Sequence, residues 1–421
     1  MRKTLIALIV VLGAAGLLFV GCSKGTAPAK GSAITLMQNK PEIDAQLKAY
    51  AAEWSKTSGV PITVKSVGGT SSITITQQLQ ADFSAGDMPD LFIIQGIEDY
   101  KQWQSIILDL SDQKWVSETS VPFKDGGKVY GFPVAIEGWG LAYNGDLLKK
   151  AGIDPKTLVD YGAYKAAFEK LDSMKSALGI NAVVSMAASP EMAWVVTDHN
   201  FNSLLSNGLP YGDLSVVNDL LARKVDESRL KQYADWVELL FKYADKAILT
   251  TGNYDAQVGA FATQKTVFLH QGNWVDPNMK SAGATFPMAF APQGSMATPT
   301  DGIFVAAPSY YVVNSKSKNV AGAEKFLNDM VYTPAGQDFI VNKAGMIPAF
   351  KNIDLQPSGQ FSRSVQAWAK AGKIYSWDQY NFSSDFRTQI LGPIYNQLAT
   401  GQIDEQKFID LMTAAFKERK N

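Results

Sequence analysis

Four stretches of the chain carry side chains that could hold or alter a small molecule. In YGFPVAIEGWGLAYN, residues 130–144, the carboxylate of Glu137 stands among apolar and aromatic neighbours, next to a proline and three glycines. A charge in that setting is costly unless it is paired or solvated, so Glu137 is expected either to face a cleft or to meet a nearby Lys or Arg. In EMAWVVTDHNFNSLL, residues 191–205, Trp194, Asp198, His199 and Phe201 lie close together in a helical pattern, which suits a packing face as well as a binding face. FLHQGNW, residues 268–274, runs from an apolar strand into a polar, glycine-containing loop that presents Trp274. An indole offers a large rigid apolar face and one donor, which suits the C–H face of a sugar ring. Trp377 and Phe382 stand in a late loop and are expected either to fill the core or to close over a ligand.

Bond-breaking chemistry has a thinner basis. A hydrolase needs a nucleophile with a base beside it, or a metal cluster. The two histidines, His199 and His270, form no His-pair metal motif, and there is a single cysteine, Cys22. Ser315 to Lys318 matches S-x-x-K without the companion motifs of that pattern, and neither G-x-S-x-G nor a Walker A loop occurs. Gly138 and Gly140 give a G-x-G fragment, but Tyr143 stands where the third glycine of a dinucleotide site belongs. With 40 acidic residues, a carboxylate pair of the glycosidase kind stays open as the competing reading. No cofactor or metal site is expected.

The elements that must position these residues read as α/β. "AITLMQ" is a strand, and Pro41 opens a helix with Ile43, Leu47, Tyr50, Ala51 and Trp54 on one face, ended by Gly59. A second strand (TSGVPITVKSV), a helix from about Ile73 to Ser84 and a third strand in AGDMPDLFII follow. Strand, helix, strand, helix, strand is the pattern of a mostly parallel sheet covered on both faces. Pro89 and Asp90 read as the turn before the third strand. Ligands gather beyond the carboxyl ends of such strands, which brings Gln38, Asn39, Gln95 and Glu98 forward as cleft residues, with a solvated loop as the alternative. From Ala163 to about Leu249 helical patterns dominate. Thr333 and Pro334 read as a cap and first position of a later helix, and Phe408, Leu411, Met412, Ala415 and Phe416 as a terminal packing stripe.

The amino terminus addresses location. Arg2 and Lys3 precede an uncharged apolar run from Leu5 to Val20, and Gly21 stands at the expected cut, so residues 1–21 read as an export signal. A transmembrane anchor is the alternative, although the run is short for a bilayer and contains Gly13 and Gly16. FVGC resembles the cleavage box of bacterial lipoproteins, with Phe19 where Leu is usual, and implies that Cys22 becomes the lipidated first residue. Residues 22–32 then form a flexible linker. The chain is 46% hydrophobic and 19% charged with a net charge of −1, and removing Arg2 and Lys3 makes it slightly more acidic. That excludes a basic nucleic-acid surface.

Five motifs occur in a fixed order: SAGDMPDLFII, VYGFPVAIEGWGLAYNGDLLKKAGI, ATQKTVFLHQGNW, KNVAGAEKFLNDMVYTPAGQDFI and GMIPAF. Together they resemble the family 1 extracellular solute-binding proteins of ABC importers, over nearly the whole mature chain. The resemblance implies a two-lobed periplasmic-binding-protein-like fold (type II) with three crossovers at the hinge and a ligand cleft between the lobes. It implies one lobe from 33–136 and 291–338 and another from 137–290 and 339–421, with DGIFVAAPSYYVV supplying edge strands. It further implies that Glu137 binds a ligand hydroxyl, that Trp274 stacks on a sugar ring, and that Trp194, Asp198, His199 and Phe201 come from the second lobe. The partners implied are a small solute of the carbohydrate class, the permease subunits and the membrane through Cys22, with the protein a monomer on the outer side of the bacterial membrane. Polyamines, anions and glycerol phosphates remain as other solutes, and a lipoprotein that only contacts other proteins as another class.

Overall fold

The computed structural model describes residues 32–68 and 73–419. The export segment, Cys22 and the linker up to Gly31 lie outside the described residues.

β1 (Ile34–Gln38) leads through a short turn at Pro41–Ile43 into the helix Asp44–Ser58. Ile43, Leu47, Tyr50, Ala51 and Trp54 are all buried, as their spacing predicts. Gly59 ends the helix at φ 73°, a left-handed cap that costs glycine little. β2 (Ile62–Ser66) lies parallel to β1. The helix Ile75–Ala85 begins at a reciprocal cap, in which Thr74 and Gln77 bond each other's backbone N–H. β3 (Leu91–Ile94) runs parallel to β1 on its other side. β4 (Phe123–Asp125) and β5 (Lys128–Pro133) form a hairpin at the edge.

After β5 the chain crosses to a second lobe. β6 (Glu137–Trp139) is followed by β7 (Leu141–Asn144), β8 (Val184–Ser185), β9 (Phe268–Leu269) and β10 (Met288–Ala291). These last four make a sheet in the order β10-β7-β9-β8. Gly140, between β6 and β7, has no alternative: a Cβ there would lie 2.3 Å from the Ala291 carbonyl oxygen. β11 (Ile303–Ala306) runs antiparallel to β6, and β12 (Tyr310–Val313) re-enters the first sheet between β3 and β5. With β13 (Ile374–Tyr375) beside β11, the order β13-β11-β6 forms a ribbon where the lobes join. The first sheet reads β2-β1-β3-β12-β5-β4, so only its β2-β1-β3 part is parallel. β11 and β12 are central strands and not the edges expected for DGIFVAAPSYYVV.

Two separate hydrophobic cores define the lobes. One gathers Leu36, Phe92, Trp115, Phe132, Tyr311, Phe326 and Phe350; the other gathers Leu141, Phe168, Val195, Trp236, Phe268 and Phe361. The core changes sides between Ala135 and Leu141, between Val305 and Tyr311, and between Ile353 and Phe361, with Ile347 alone reaching the second core before that last crossing. The last two crossings fall later than the sequence suggested. Residues 292–305 stay with the second lobe, where the Tyr164 hydroxyl donates to the Pro292 carbonyl (2.6 Å) and the Trp236 indole to Gln293 (3.0 Å). Residues 339–353 stay with the first, anchored by Phe339 stacked on Tyr50 at 4.9 Å. The family resemblance supplied these boundaries, whereas side-chain packing decides them in the structure.

Candidate functional site

A cavity of about 630 Å³ opens between the lobes. Its first-lobe wall is built from loops at the carboxyl ends of the three parallel strands: Asn39 and Lys40 after β1, Val67 and Gly68 after β2, Gln95 and Asp99 after β3. The second-lobe wall is aromatic and polar, with Trp194, His199, Tyr254, Trp274, Trp377 and Tyr380 at its centre and Gln389, Asn396 and Gln402 further along. Glu137 sits between, on the crossing strand β6.

Two local irregularities aim charged groups at this space. Val195–Asn200 and Phe386–Leu391 each wind as π-helix, whose wider turn redirects side chains relative to a regular helix. Asp198 from the first and Arg387 from the second form a buried ion pair. The Arg387 guanidinium lies 4.9 Å over the Tyr380 ring, and its Nε donates to the Phe382 carbonyl at 3.1 Å. Burial lowers the Arg387 pKa to about 10, which still leaves it charged at neutral pH.

At the junction, Lys40 forms a buried ion pair with Glu137, and its Nζ lies 3.9 Å from Glu42. Burial alone would lower the Lys40 pKa, but the fields of Glu137 and then Glu42 prevail and raise it, so the ammonium is held charged. Glu42 is pushed up to about 7, chiefly by burial and against the pull of Lys40.

The aromatic wall centres on His199. Its ring lies 4.8 Å from Trp274, 5.2 Å from Trp194 and 5.6 Å from both Trp377 and Trp139. Trp139 is fully buried behind it, stacked on Phe304 at 4.2 Å, while Trp194, Trp274 and Trp377 keep part of their faces open. Burial, with smaller contributions from His270 and Lys40, holds His199 well below its ordinary pKa, so the imidazole is neutral. Trp274 is fixed by its indole N–H, which donates to Gln271 at 2.8 Å. From the first lobe, Asn39 donates to Gln95 (3.2 Å), and Gln95 reaches across to the Tyr380 hydroxyl (2.9 Å).

Eight of the twelve residues singled out as ligand contacts therefore line the one cavity: Asn39, Gln95, Glu137, Trp194, Asp198, His199, Trp274 and Trp377. Glu137 joins both expectations, lining the cleft while paired with a lysine. Four do not line it. Gln38 is fully buried at the end of β1, donating to the Lys40 carbonyl (2.9 Å) and Ser66 (2.7 Å). Glu98 pairs on the outer side of its helix with Lys101 (2.7 Å), and the next residue, Asp99, is the one on the cavity wall. Phe201 and Phe382 are core residues whose rings meet at 5.5 Å and pack with Phe416. Lys40, Glu42, Asp99, Tyr380 and Arg387 were not anticipated. The first two lie within three residues of Asn39 and were within reach of the strand-end rule, whereas nothing local marks Arg387.

The architecture is thus a cavity at strand ends between two lobes joined by three crossings. The sequence model of the bacterial extracellular solute-binding protein family matches residues 38–338. The chain belongs to that family. Among its relatives, the maltooligosaccharide ABC transporter solute-binding lipoprotein of Streptococcus pneumoniae (strain ATCC BAA-255 / R6) is 25% identical over 363 residues, covering 80% of this chain and 78% of the relative. A shorter match, 28% identical over 154 residues, 34% of this chain and 35% of the relative, links it to the melibiose/raffinose/stachyose-binding protein MelE of Bacillus subtilis (strain 168). Similar folds include a sugar transporter from Bacillus licheniformis in complex with stachyose (TM-score 0.73, 18% identity, 92% of this chain and 99% of that one). Another is a chitin oligosaccharide binding protein (TM-score 0.72, 16% identity, 93% and 99%). Family members of this kind bind solutes for transport. Among the described residues, no group of three His, Cys, Asp or Glu is placed to hold a metal ion, and no helix is long and apolar enough to cross a membrane.

Proposed function

We propose that this protein is the capture subunit of an ABC importer for an oligosaccharide, tethered outside the cell membrane through a lipid on Cys22. The observation that carries the reading is the pairing of three partly open tryptophan faces on one lobe with amide and charged side chains on the other, across a single cavity. Trp194, Trp274 and Trp377 stack on the apolar faces of sugar rings, and Asn39, Gln95, Glu137, Asp198 and His199 take the hydroxyls. The named ligands of the relatives and similar folds, all saccharides of more than one unit in those reported above, support the substrate class.

Closure follows from the same contacts. A ligand held by both walls gains interactions in the closed arrangement that an open one lacks, and so shifts the population toward closure. The permease subunits read that state on a monomeric binding protein, and the solute is delivered unaltered. A thermal-shift and calorimetric screen over maltotriose, raffinose, stachyose and chitin oligosaccharides, with spermidine and glycerol phosphate as controls, tests the reading. A saccharide that raises the melting temperature and is recovered at its original length supports it. A response only to the amine or the phosphate, or shortening of the sugar, overturns it.

A further inference from the structure

The cavity wall is unevenly charged, and its cations are already committed. Lys40 is paired with Glu137 and has Glu42 as a second acidic neighbour, and Arg387 is paired with Asp198. Asp99 and Glu191, lining the same cavity, take part in no ion pair among the described residues; Asp99 accepts the Gln95 backbone N–H at 2.8 Å and feels the charge of Arg387, which is already paired with Asp198. Among the described residues Glu42 has one lysine neighbour, Lys40, which it shares with a closer carboxylate. His199 adds no compensating charge: it is 5% exposed and its Nδ1 has no hydrogen-bond partner. Facing these carboxylates are the open indole faces of Trp194, Trp274 and Trp377, and aromatic faces attract cations by their quadrupole. Excess carboxylate and aromatic faces around one space are complementary to a positive group and repel a negative one.

We infer that the cleft prefers saccharides bearing a protonated amine, oligomers of glucosamine, over neutral saccharides of the same shape, and rejects uronates. The inference rests on the reading that the cavity holds a saccharide. The ammonium takes the place of one ring hydroxyl and lies in the carboxylate-rich part of the cavity, within the field of Glu42 and Asp99.

The test compares two β-1,4-linked trimers by calorimetry on the mature protein at pH 7 and low salt. They are the glucosamine trimer and cellotriose, which carries a hydroxyl where the former carries its amine. The β-1,4 glucuronate trimer is the acidic arm. The amine-bearing trimer is expected to bind about tenfold more tightly than cellotriose, and the glucuronate trimer not to bind measurably. In a Glu42→Gln, Asp99→Asn variant that ratio is expected to fall below about threefold, and Glu191→Gln, at the exposed rim, lowers it more modestly. Equal affinities in the native protein, or a ratio unchanged in both variants, overturns the inference and leaves saccharide capture standing. So does failure of the glucosamine trimer to bind where a neutral saccharide does. If no saccharide of any charge binds, both the inference and the reading beneath it fall.

Discussion

Replacing Lys40 by Met keeps an apolar stem of similar length and removes the charge that holds two carboxylates together. In the native protein Glu42 is raised from 4.5 to about 7, chiefly because it is buried, and Lys40 is the strongest influence opposing that rise. A shift of that size corresponds to about 3 kcal/mol once the pH passes 7. The sign is set by proton binding. The folded state binds the Glu42 proton more tightly than the unfolded chain, so this contribution is complete below about 4.5 and is lost as the pH climbs through about 7. Without Lys40, Glu42 rises further and Glu137 loses its buried counter-ion. Breaking such a pair by removing one partner costs about 3–5 kcal/mol. At pH 8, above the native Glu42 value of about 7, this lowers the melting temperature by on the order of 10 °C. At pH 5 Glu42 is protonated, one of the two carboxylates beside Lys40 is neutral, and roughly half of the loss remains. Melting curves of the ligand-free native and Lys40→Met proteins, taken every half unit from pH 5 to 8, measure the gap. A gap that is constant, or widest at pH 5, would refute the account of this buried cluster.

Three further outcomes separate the cleft from the core. Trp274→Ala is expected to weaken binding of the screened saccharide by at least about 30-fold in calorimetry, because a fixed aromatic anchor is lost; unchanged affinity removes Trp274 from the site. Phe382→Ala is expected to cost about 3–5 kcal/mol in denaturant unfolding, since its ring packs against Phe201, Phe386 and Phe416. Full stability with lost affinity would return Phe382 to the cleft. Tyr380→Phe removes the hydrogen bond that Gln95 makes across the lobes, worth about 0.5–1.5 kcal/mol. Small-angle scattering of the ligand-free variant is expected to give a larger radius of gyration than the native protein, and an identical profile denies that bond a role in closure.

The first lobe was legible in the sequence where its signals are local: apolar spacing in Asp44–Ser58, the glycine stop at Gly59, and the Thr333 cap of the helix starting at Pro334. The site was legible where it follows from strand ends and chemistry, as with Asn39, Gln95 and Glu137. What could not be read depends on packing between distant segments. Glu98 and Asp99 are adjacent acids at the start of one helix, and only the direction of that helix against the first sheet decides which one meets the cavity. Phe201 and Phe382 looked like loop and helix aromatics near a cleft, yet Phe416, far along the chain, closes a core around them. The late crossings escaped notice for the same reason, since Gln293 and Phe339 are held by partners more than fifty residues away. Arg387 is presented by a π-helical stretch, and no periodicity in the sequence announces one.

The crowding of indole rings around His199 gives the protein a built-in optical signal. Three of the nine tryptophans line the cavity with faces partly open, while Trp139 and Trp236 are wholly sequestered. Emission from the open rings responds to the polarity beside them and that of the sequestered ones does not, so an arriving solute shifts the blue-to-red balance of the intrinsic fluorescence. Titration can thus be followed on unlabelled protein, with each occupied molecule reporting itself.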